Sequence, residues 1–526
     1  MGVNNPTLHK LIALAAFLFA VSNTVQVAYQ IKNSFVNAVR PPPRPKDAKL
    51  DDSNVDGLIW FVQVSDLHFS IFIDHDRPKD FLPLCELIKK NIQPQAVILT
   101  GDLTDAKTQD KLGSRQFEPE WQLYHDTMRA CGAFNQNDIP WLDVRGNHDT
   151  FNVNGVKEDK YNLYGIKKDK DRFYSMTIQK HNTSYGLIAM DATLSPGPKR
   201  PFNFFGSLSA QELDQFTQVF EDARSKTDFQ IVFGHYPTSC VLTPQPGLRS
   251  VIGKSASTLA YLCGHLHTLN NLAPHMYSTH NEGFLELELG DWKDNRIFRI
   301  LAVDQGQLVF KDFIFNSKEP KPKMAVMLNP MDFTYTRPIN VEFIKESTHM
   351  RILAFVDPDD KLEVKIDGKL SIPLKRSSKD VPLFTAPWNP TSFVDDQEHS
   401  IQVILNQKTV LSHSKFTLSD DFTDLGTTSL IAQVVLGLPW SLITQALFGL
   451  CAASIVLPLC LIRLRPCHSS KWRLFRGIAK VASNNRQFYA IVSASLYISF
   501  GPWAIGYFLG KYNSSYHYRR SKSTSL

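Results

Sequence analysis

Five short apolar runs punctuate the first half of the chain: Trp60–Val64, Ala96–Leu99, Pro140–Val144, Gln230–Phe233 and Leu259–Cys263. Each is rich in β-branched or aromatic residues, which predicts a buried strand. Helical spacing fills the gaps over Phe81–Asn91, Phe117–Ala130 and Ser209–Ala223. The last of these opens with Ser209-x-x-Glu212, the pattern of a capping box. Strand–helix–strand alternation predicts a layered α/β domain. Past residue 267 the pattern changes to strands at Phe284–Leu289, Ile297–Val303 and Leu308–Phe315, the last two forming a hairpin around Asp304–Gly306.

A second set of short strands follows at Ile339–Phe343, Met350–Val356, Leu362–Ile366, Leu370–Leu374, Ile401–Leu405 and Val410–Ser414. Asp367-Gly368 between two of them predicts a type I′ hairpin turn. Frequent turns over this short stretch predict an immunoglobulin-like β-sandwich.

Two further runs are too long for strands. Leu442–Ile462 and Phe488–Leu509 carry no charged residue over 21 and 22 positions, the length of a membrane span. Leu11–Val21 is an apolar core of signal-peptide length after Lys10. Cleavage after Ser22 is the favoured expectation, and an uncleaved anchor reaching Ile31 is the alternative. The expected organisation is therefore a signal peptide or anchor at 1–31 and a Pro-rich linker at 32–57. An α/β domain at 58–320 and a β-sandwich at 337–420 follow. A span at 440–464, a basic loop at 465–487 and a second span at 488–510 complete it.

Charge supports this division. The whole chain has 57 Lys+Arg against 51 Asp+Glu, yet residues 427–526 hold 11 Lys/Arg and no acid. A basic tail beside apolar segments points to a membrane surface and not to nucleic acid. Arg463, Arg465, Lys471, Arg473, Arg476, Lys480 and Arg486 lie between the two spans, so the charge rule assigns that loop to the cytoplasm. The α/β domain then faces the lumen of the secretory pathway or the cell exterior. Lys511, Arg519, Arg520 and Lys522 conflict with a simple hairpin of two spans. Asn182-Thr183-Ser184 is a glycosylation sequon and fits a luminal domain. Cys85 and Cys131 are candidates for a disulfide, with ordinary buried thiols the equal alternative.

The chemistry sits at the ends of the five strands. Just beyond them come VSDLH (Asp66, His68), TGDLTD (Asp102, Asp105), RGNHD (Asn147, His148, Asp149), FGHYP (His235) and CGHLH (His265, His267). Ligand crevices in α/β sheets form at such carboxyl ends. Carboxylate, imidazole and one carboxamide suit divalent Mn, Fe or Zn. Two cations 3.5–4 Å apart can clamp the attacking and leaving oxygens of an in-line phosphoryl displacement. Asp102 is the candidate bridge between them. His148, beside Asn147, is the candidate general acid, and Asp105 is expected to orient it through its carboxylate.

In this order the segments resemble the calcineurin-like metallophosphoesterases, whose pattern of DxH, GDxxD, GNH(D/E), GH and GHxH is complete over residues 66–267. The resemblance implies that one metal takes Asp66, His68, Asp102 and His267, and the other Asp102, Asn147, His235 and His265. It implies hydrolysis of a phosphate mono- or diester by metal-hydroxide attack. Purple acid phosphatases carry Tyr where Asp105 stands, so an iron-tyrosinate site is disfavoured. The order of the larger segments resembles the transmembrane protein 62 family. A membrane-embedded enzyme of this kind admits a lipid or glycolipid substrate. The alternative expectation is a catalytically silent metal-binding membrane protein serving as a cargo or structural partner.

Overall fold

The computed structural model describes residues 6–34, 41–135, 138–155, 158–167, 171–332, 340–419, 430–464 and 473–500. The chain forms two compact units, one of residues 38–437 and one of the terminal segments 1–37 and 438–526.

The larger unit begins with two mixed sheets. The first has spatial order Gln307–Ile314, Ile297–Asp304, Leu58–Val64, Val97–Leu99, Trp141–Asp143. Leu58–Val64 runs parallel to Val97–Leu99, and that strand parallel to Trp141–Asp143, while the 297–314 hairpin is antiparallel. The second sheet has order Met276–Thr279, Leu285–Glu288, Thr258–Cys263, Phe229–Gly234, Thr183–Met190, Phe173–Lys180. Its four middle strands are parallel.

The sheets face each other through an apolar layer that includes Ile59, Phe61, Ile98 and Leu142 from one and Leu187, Ile231, Phe233 and Leu262 from the other. Such strands are buried on both faces, which is why they read as continuous apolar runs. Helices Asp76–Leu87 and Glu118–Ala130 cover the first sheet, and Ala210–Lys226 covers the second. The last helix starts where the sequence predicts. Ser209 accepts from the Glu212 amide, and the Glu212 carboxylate accepts from the Ser209 amide at 2.8 Å. A disulfide joins Cys85 in the first helix to Cys131 at the end of the second.

Two four-stranded antiparallel sheets follow, Met324–Asn329 with His349–Phe355, Leu383–Pro387 and Lys375–Arg376, and Leu370–Pro373 with Leu362–Ile366, His399–Leu405 and Thr409–Phe416. Asp367 and Gly368 both take positive φ, and the Lys369 amide reaches the Ile366 carbonyl, as a type I′ turn requires. One expected strand is different. Val341–Lys345 is a short helix, because the Asn340 side chain accepts from the Phe343 amide and caps it. Ile339 lies outside the described residues.

Arg351 couples the two parts of this unit. It is fully buried and clasps Asp304 with Nε to Oδ2 at 2.6 Å and Nη2 to Oδ1 at 2.9 Å. Its remaining donors reach the carbonyls of Asp51 and Asn54.

The smaller unit contains helices Pro6–Ser34, Trp440–Leu464, Arg473–Ser483 and Asn485–Phe500. Pro6–Ala28 and Leu442–Leu464 are long and apolar enough to cross a membrane. Of the expected second carboxyl-terminal span, 501–510 lies outside the described residues, as does 465–472 of the expected basic loop.

Candidate metal centre

Each motif leaves the carboxyl end of a parallel strand. Asp66 and His68 follow Val64, Asp102 follows Leu99, Asn147 follows Asp143, His235 follows Gly234, and His265 and His267 follow Cys263. Strands of both sheets contribute, so residues nearly 200 apart in sequence converge.

The convergence is tight. The bridging candidate Asp102 turns Oδ1 to Nε2 of His235 at 3.3 Å and Oδ2 to Nε2 of His68 at 3.4 Å. Oδ1 of Asp66 lies 3.2 Å from Nε2 of His267 and 3.7 Å from Nε2 of His68. Oδ1 of Asn147 lies 3.0 Å from Nε2 of His235 and 2.9 Å from Nδ1 of His265. Three groupings bring ligand atoms within 4.8 Å of one another: Asp66, His68 and His267; His68, Asp102 and His148; Asp66, Asp102 and His235.

Proton bookkeeping says what would hold them together. Nδ1 of His235 faces the Thr100 carbonyl at 2.8 Å and must donate to it. Neutral imidazole carries one proton, so Nε2 is then a bare lone pair. It points at the Asn147 carboxamide oxygen and the Asp102 carboxylate, which are also acceptors. Nδ1 of His265 lies 3.2 Å from the same Nε2, and Oδ1 of Asp66 and Nε2 of His68 are buried with no hydrogen-bond partner. Buried acceptors aimed at one another are costly unless a cation lies among them. The donor set therefore fits divalent metal.

Burial and neighbouring charge split the ionisation of the candidate ligands. Burial opposes the charge on Asp66, but His267 and His68 outweigh it and hold its carboxyl well below the usual range. Asp102 goes the other way: burial, then the charges of Asp66 and Asp149, push it well above. Burial pushes His235 down to about 4, so it is neutral and fit to ligate at pH 7.

The backbone is forced to reach this geometry. Asp66, His68, Asp102, His265 and His267 all have positive φ, between 44° and 85°. Side-chain-bearing residues rarely adopt this region, and such strain clusters at functional sites. Gly146 and Gly264 answer close approach instead. A Cβ on Gly146 would lie 2.1 Å from Oδ1 of Asp102, and one on Gly264 2.3 Å from Oδ2 of Asp66.

Other predicted residues fall as follows. His148 is buried, its ring edge-on to His68 with centroids 4.4 Å apart. Nδ1 meets the backbone carbonyl of Asp105 at 2.6 Å, while the Asp105 carboxylate lies 3.8 Å from it and 3.2 Å from Nδ1 of His68. Asp105 thus touches both histidines, but holds His148 through its main chain. Asn182 stands apart, exposed at the turn of the 173–190 hairpin.

Several supporting residues were given no role by the sequence reading, Asp149 although it was noted in its motif. Asp149 accepts from the amides of Leu103, Thr104 and Gly146, tying two motif loops together. Asp291 places Oδ1 3.4 Å from Nδ1 of His267. It follows Gly290 just beyond strand Leu285–Glu288, so the Gly–acid signal at a strand end was present there too. Asn203 donates to the Asn147 carbonyl at 2.6 Å, and Lys107 lies 3.2 Å from Asp105. Neither carries a motif.

Residues 59–269 match the family model of the calcineurin-like phosphoesterases. The chain is 34% identical over 484 residues to Transmembrane protein 62 of Mus musculus, covering 89% of this chain and 71% of that one. A metallophosphoesterase homologue of Arabidopsis thaliana is 28% identical over 406 residues, covering 64% of this chain and 54% of the homologue. A solved structure from Staphylococcus aureus overlaps 49% of this chain and 54% of its own at a TM-score of 0.30 and 15% identity. The two sheets and their strand-end loops thus define a calcineurin-like phosphoesterase domain. The chain belongs to the transmembrane protein 62 family.

Proposed function

We propose that this chain is a membrane-anchored, two-metal phosphoesterase that hydrolyses a phosphate mono- or diester. The observation that carries the reading is the set of buried acceptors converging on Asp102 without protons between them. Asp66, His68, Asp102 and His267 would hold one cation, and Asp102, Asn147, His235 and His265 the other. Mn, Fe and Zn all suit this donor set. When bound, two such cations supply Lewis acidity to the phosphoryl group and a nucleophile drawn from water.

The remaining work belongs to side chains. His148 would pass a proton from Nε2 to the leaving oxygen in its imidazolium form, because Nδ1 already donates to the Asp105 carbonyl; burial opposes that charge. The Asp105 carboxylate fixes the ring of His68, and Asp291 that of His267.

The flanking organisation supports a site at a membrane. We read the four-plus-four sandwich as an immunoglobulin-like spacer and the terminal helices as spans. Ile12, Ala13 and Ala16 pack against a cluster that includes Val456, Leu459 and Cys460, which favours a retained anchor over a cleaved signal. The Cys85–Cys131 disulfide favours an oxidising compartment, and so a luminal or extracellular catalytic domain. Exposed Asn182 is then open to glycosylation. A substrate in or beside a bilayer, a lipid or glycolipid phosphate, suits that position.

The test uses the purified full chain in detergent, with metal quantified and nitrophenyl phosphate mono- and diesters as substrates. Asp102→Asn and His235→Ala are expected to lose both metal and turnover. Metal bound by the wild-type chain with no turnover of either ester would refute the enzymatic reading and leave the silent metal-binding protein.

A further inference from the structure

The loop before helix Ala210–Lys226 crosses the mouth of the metal centre. Asn203 is its anchor, 1% exposed, with Nδ2 on the Asn147 carbonyl at 2.6 Å and its own carbonyl accepting from the Tyr236 hydroxyl at 3.3 Å. One partner, Asn147, is a candidate ligand and the other, Tyr236, follows His235. The neighbours of Asn203 turn outward. Phe202, Phe204 and Phe205 are 50%, 47% and 37% exposed. Phe204 lies 4.7 Å from the His265 ring and 5.3 Å from Phe205, edge to face.

Single exposed apolar residues are ordinary and need no account. Three phenylalanines in four positions, held on a pinned loop and touching a candidate ligand, form a patch continuous with the site.

The His148 side is different. Lys107 puts Nζ 3.2 Å from Asp105, whose carbonyl holds His148. Lys107 bridges to Ser114, and the Ser114 hydroxyl accepts from the Arg200 amide. The Lys293 amide donates to the Asp66 carbonyl. Burial, and after it the charges of Lys293 and Arg200, push the Lys107 amine below its ordinary value, against the pull of Asp105. Asp105 beside Lys107 and Asp294, 3.5 Å from the Lys293 amine, offset part of the charge of these three cations, and the rest is positive charge for an anion to meet.

We propose that the substrate is an amphiphilic phosphate ester, its alkyl substituent lying along Phe204 and Phe205 and its phosphate end facing Lys107. The proposal rests on the phosphoesterase reading above and names its substrate class. The edge-to-face pair makes a corner that suits a flexible chain.

The test is a series of alkyl p-nitrophenyl phosphodiesters, methyl to hexyl, used as monomers with the full chain in detergent. One fully buried methylene is worth roughly fourfold, so the half-exposed rings should raise kcat/KM from methyl to hexyl by about tenfold or more. The change should appear mainly in KM. Phe204→Ala with Phe205→Ala should bring the hexyl-to-methyl ratio close to one with metal content intact, and Phe204→Leu should keep most of it. A wild-type ratio near one overturns the proposal, as does an equal loss on methyl and hexyl in the double variant. So does a p-nitrophenyl nucleotide ester preferred over the hexyl compound. Hydrolysis of the methyl ester and of p-nitrophenyl phosphate separates the two levels: with neither the phosphoesterase reading itself fails, while a flat series, or turnover of the monoester alone, rejects only the alkyl-bearing substrate.

Discussion

Asp291 stands directly behind His267, its Oδ1 3.4 Å from the ring nitrogen that faces away from Asp66. Burial opposes its charge, yet contact with His267 holds the Asp291 carboxyl well below the usual range. A carboxylate in this place fixes the tautomer of a ligating histidine and makes the other nitrogen a better donor. Asp291→Asn keeps an oxygen that can cap helix Trp292–Asn295, whose Asp294 and Asn295 amides Asp291 already receives. The fold should survive. Metal affinity should fall about 10- to 100-fold, read by chelator competition. An unchanged affinity would remove Asp291 from the site.

Gly146 gives a sharper steric test. Its absent Cβ leaves room for Asp102, which would otherwise meet a methyl at 2.1 Å from Oδ1 and 2.4 Å from its amide. The second contact is with backbone, so a rotamer change gives no relief. Gly146→Ala should displace Asp102 and lose the metal that needs it. Overpacking of this kind costs about 1–3 kcal/mol, so a lowered unfolding midpoint should accompany the loss. Full metal occupancy in this variant would mean that Asp102 is not the bridge.

How much of this was legible beforehand follows from what each signal encodes. The strand ends were readable because each motif follows a run buried on both faces, as Leu58–Val64 is. Helix Ala210–Lys226 was readable from a cap written locally in Ser209 and Glu212. The Asp367–Gly368 turn was readable because few residues tolerate positive φ twice in succession. Residues defined by distant contact were not. Asn203 is one polar residue in a loop until the fold sets it on the Asn147 carbonyl, 56 positions away. Asp105 shows a subtler limit. Spacing put it within reach of His148 but could not say which of its acceptors would arrive, and its carbonyl did. Val341–Lys345 has strand-like composition, and one side chain, Asn340, turned it into a helix.

The join between the two parts of the larger unit depends on Arg351 and Asp304, 0% and 2% exposed at their side chains. Removing one partner of such a pair leaves an uncompensated buried charge, at a cost of about 3–5 kcal/mol. Arg351→Met should therefore destabilise by that order and also free the carbonyls of Asp51 and Asn54. Adding Asp304→Asn should recover part of the loss, which a double-mutant cycle by denaturant unfolding measures. Strict additivity of the two changes would show that the pair is not coupled.

Lys311 sets a pH dependence. Its Nζ donates to the Leu411 carbonyl at 2.7 Å, and burial pushes its pKa down from 10.5 to about 8, with Asp332 opposing. The folded chain thus prefers the neutral amine. Between pH 8 and 10.5 the unfolded chain binds more protons, so the contribution of this group to stability rises with pH across that window. Below pH 8 the penalty is present in full. Lys311→Met should raise the unfolding midpoint at pH 7 and flatten the rise between pH 8 and 10. An identical slope in wild type and variant would sink this assignment.

His148 separates binding from chemistry. Its backbone amide, not its ring, donates to Oδ1 of Asp102 at 2.9 Å, so His148→Asn should leave that contact and the metals in place. On the proposed mechanism, what it removes is the proton at the leaving oxygen. General acid catalysis is worth about 10²–10⁴-fold, and its value falls as the leaving group becomes a better one. The variant should therefore lose most on an alkyl phosphate, whose alkoxide must be protonated, and least on a nitrophenyl ester, whose phenolate departs unaided. Turnover of both substrates with matched metal content is the measurement. An equal loss on the two would reassign His148 from proton donor to a residue that binds the phosphoryl oxygens.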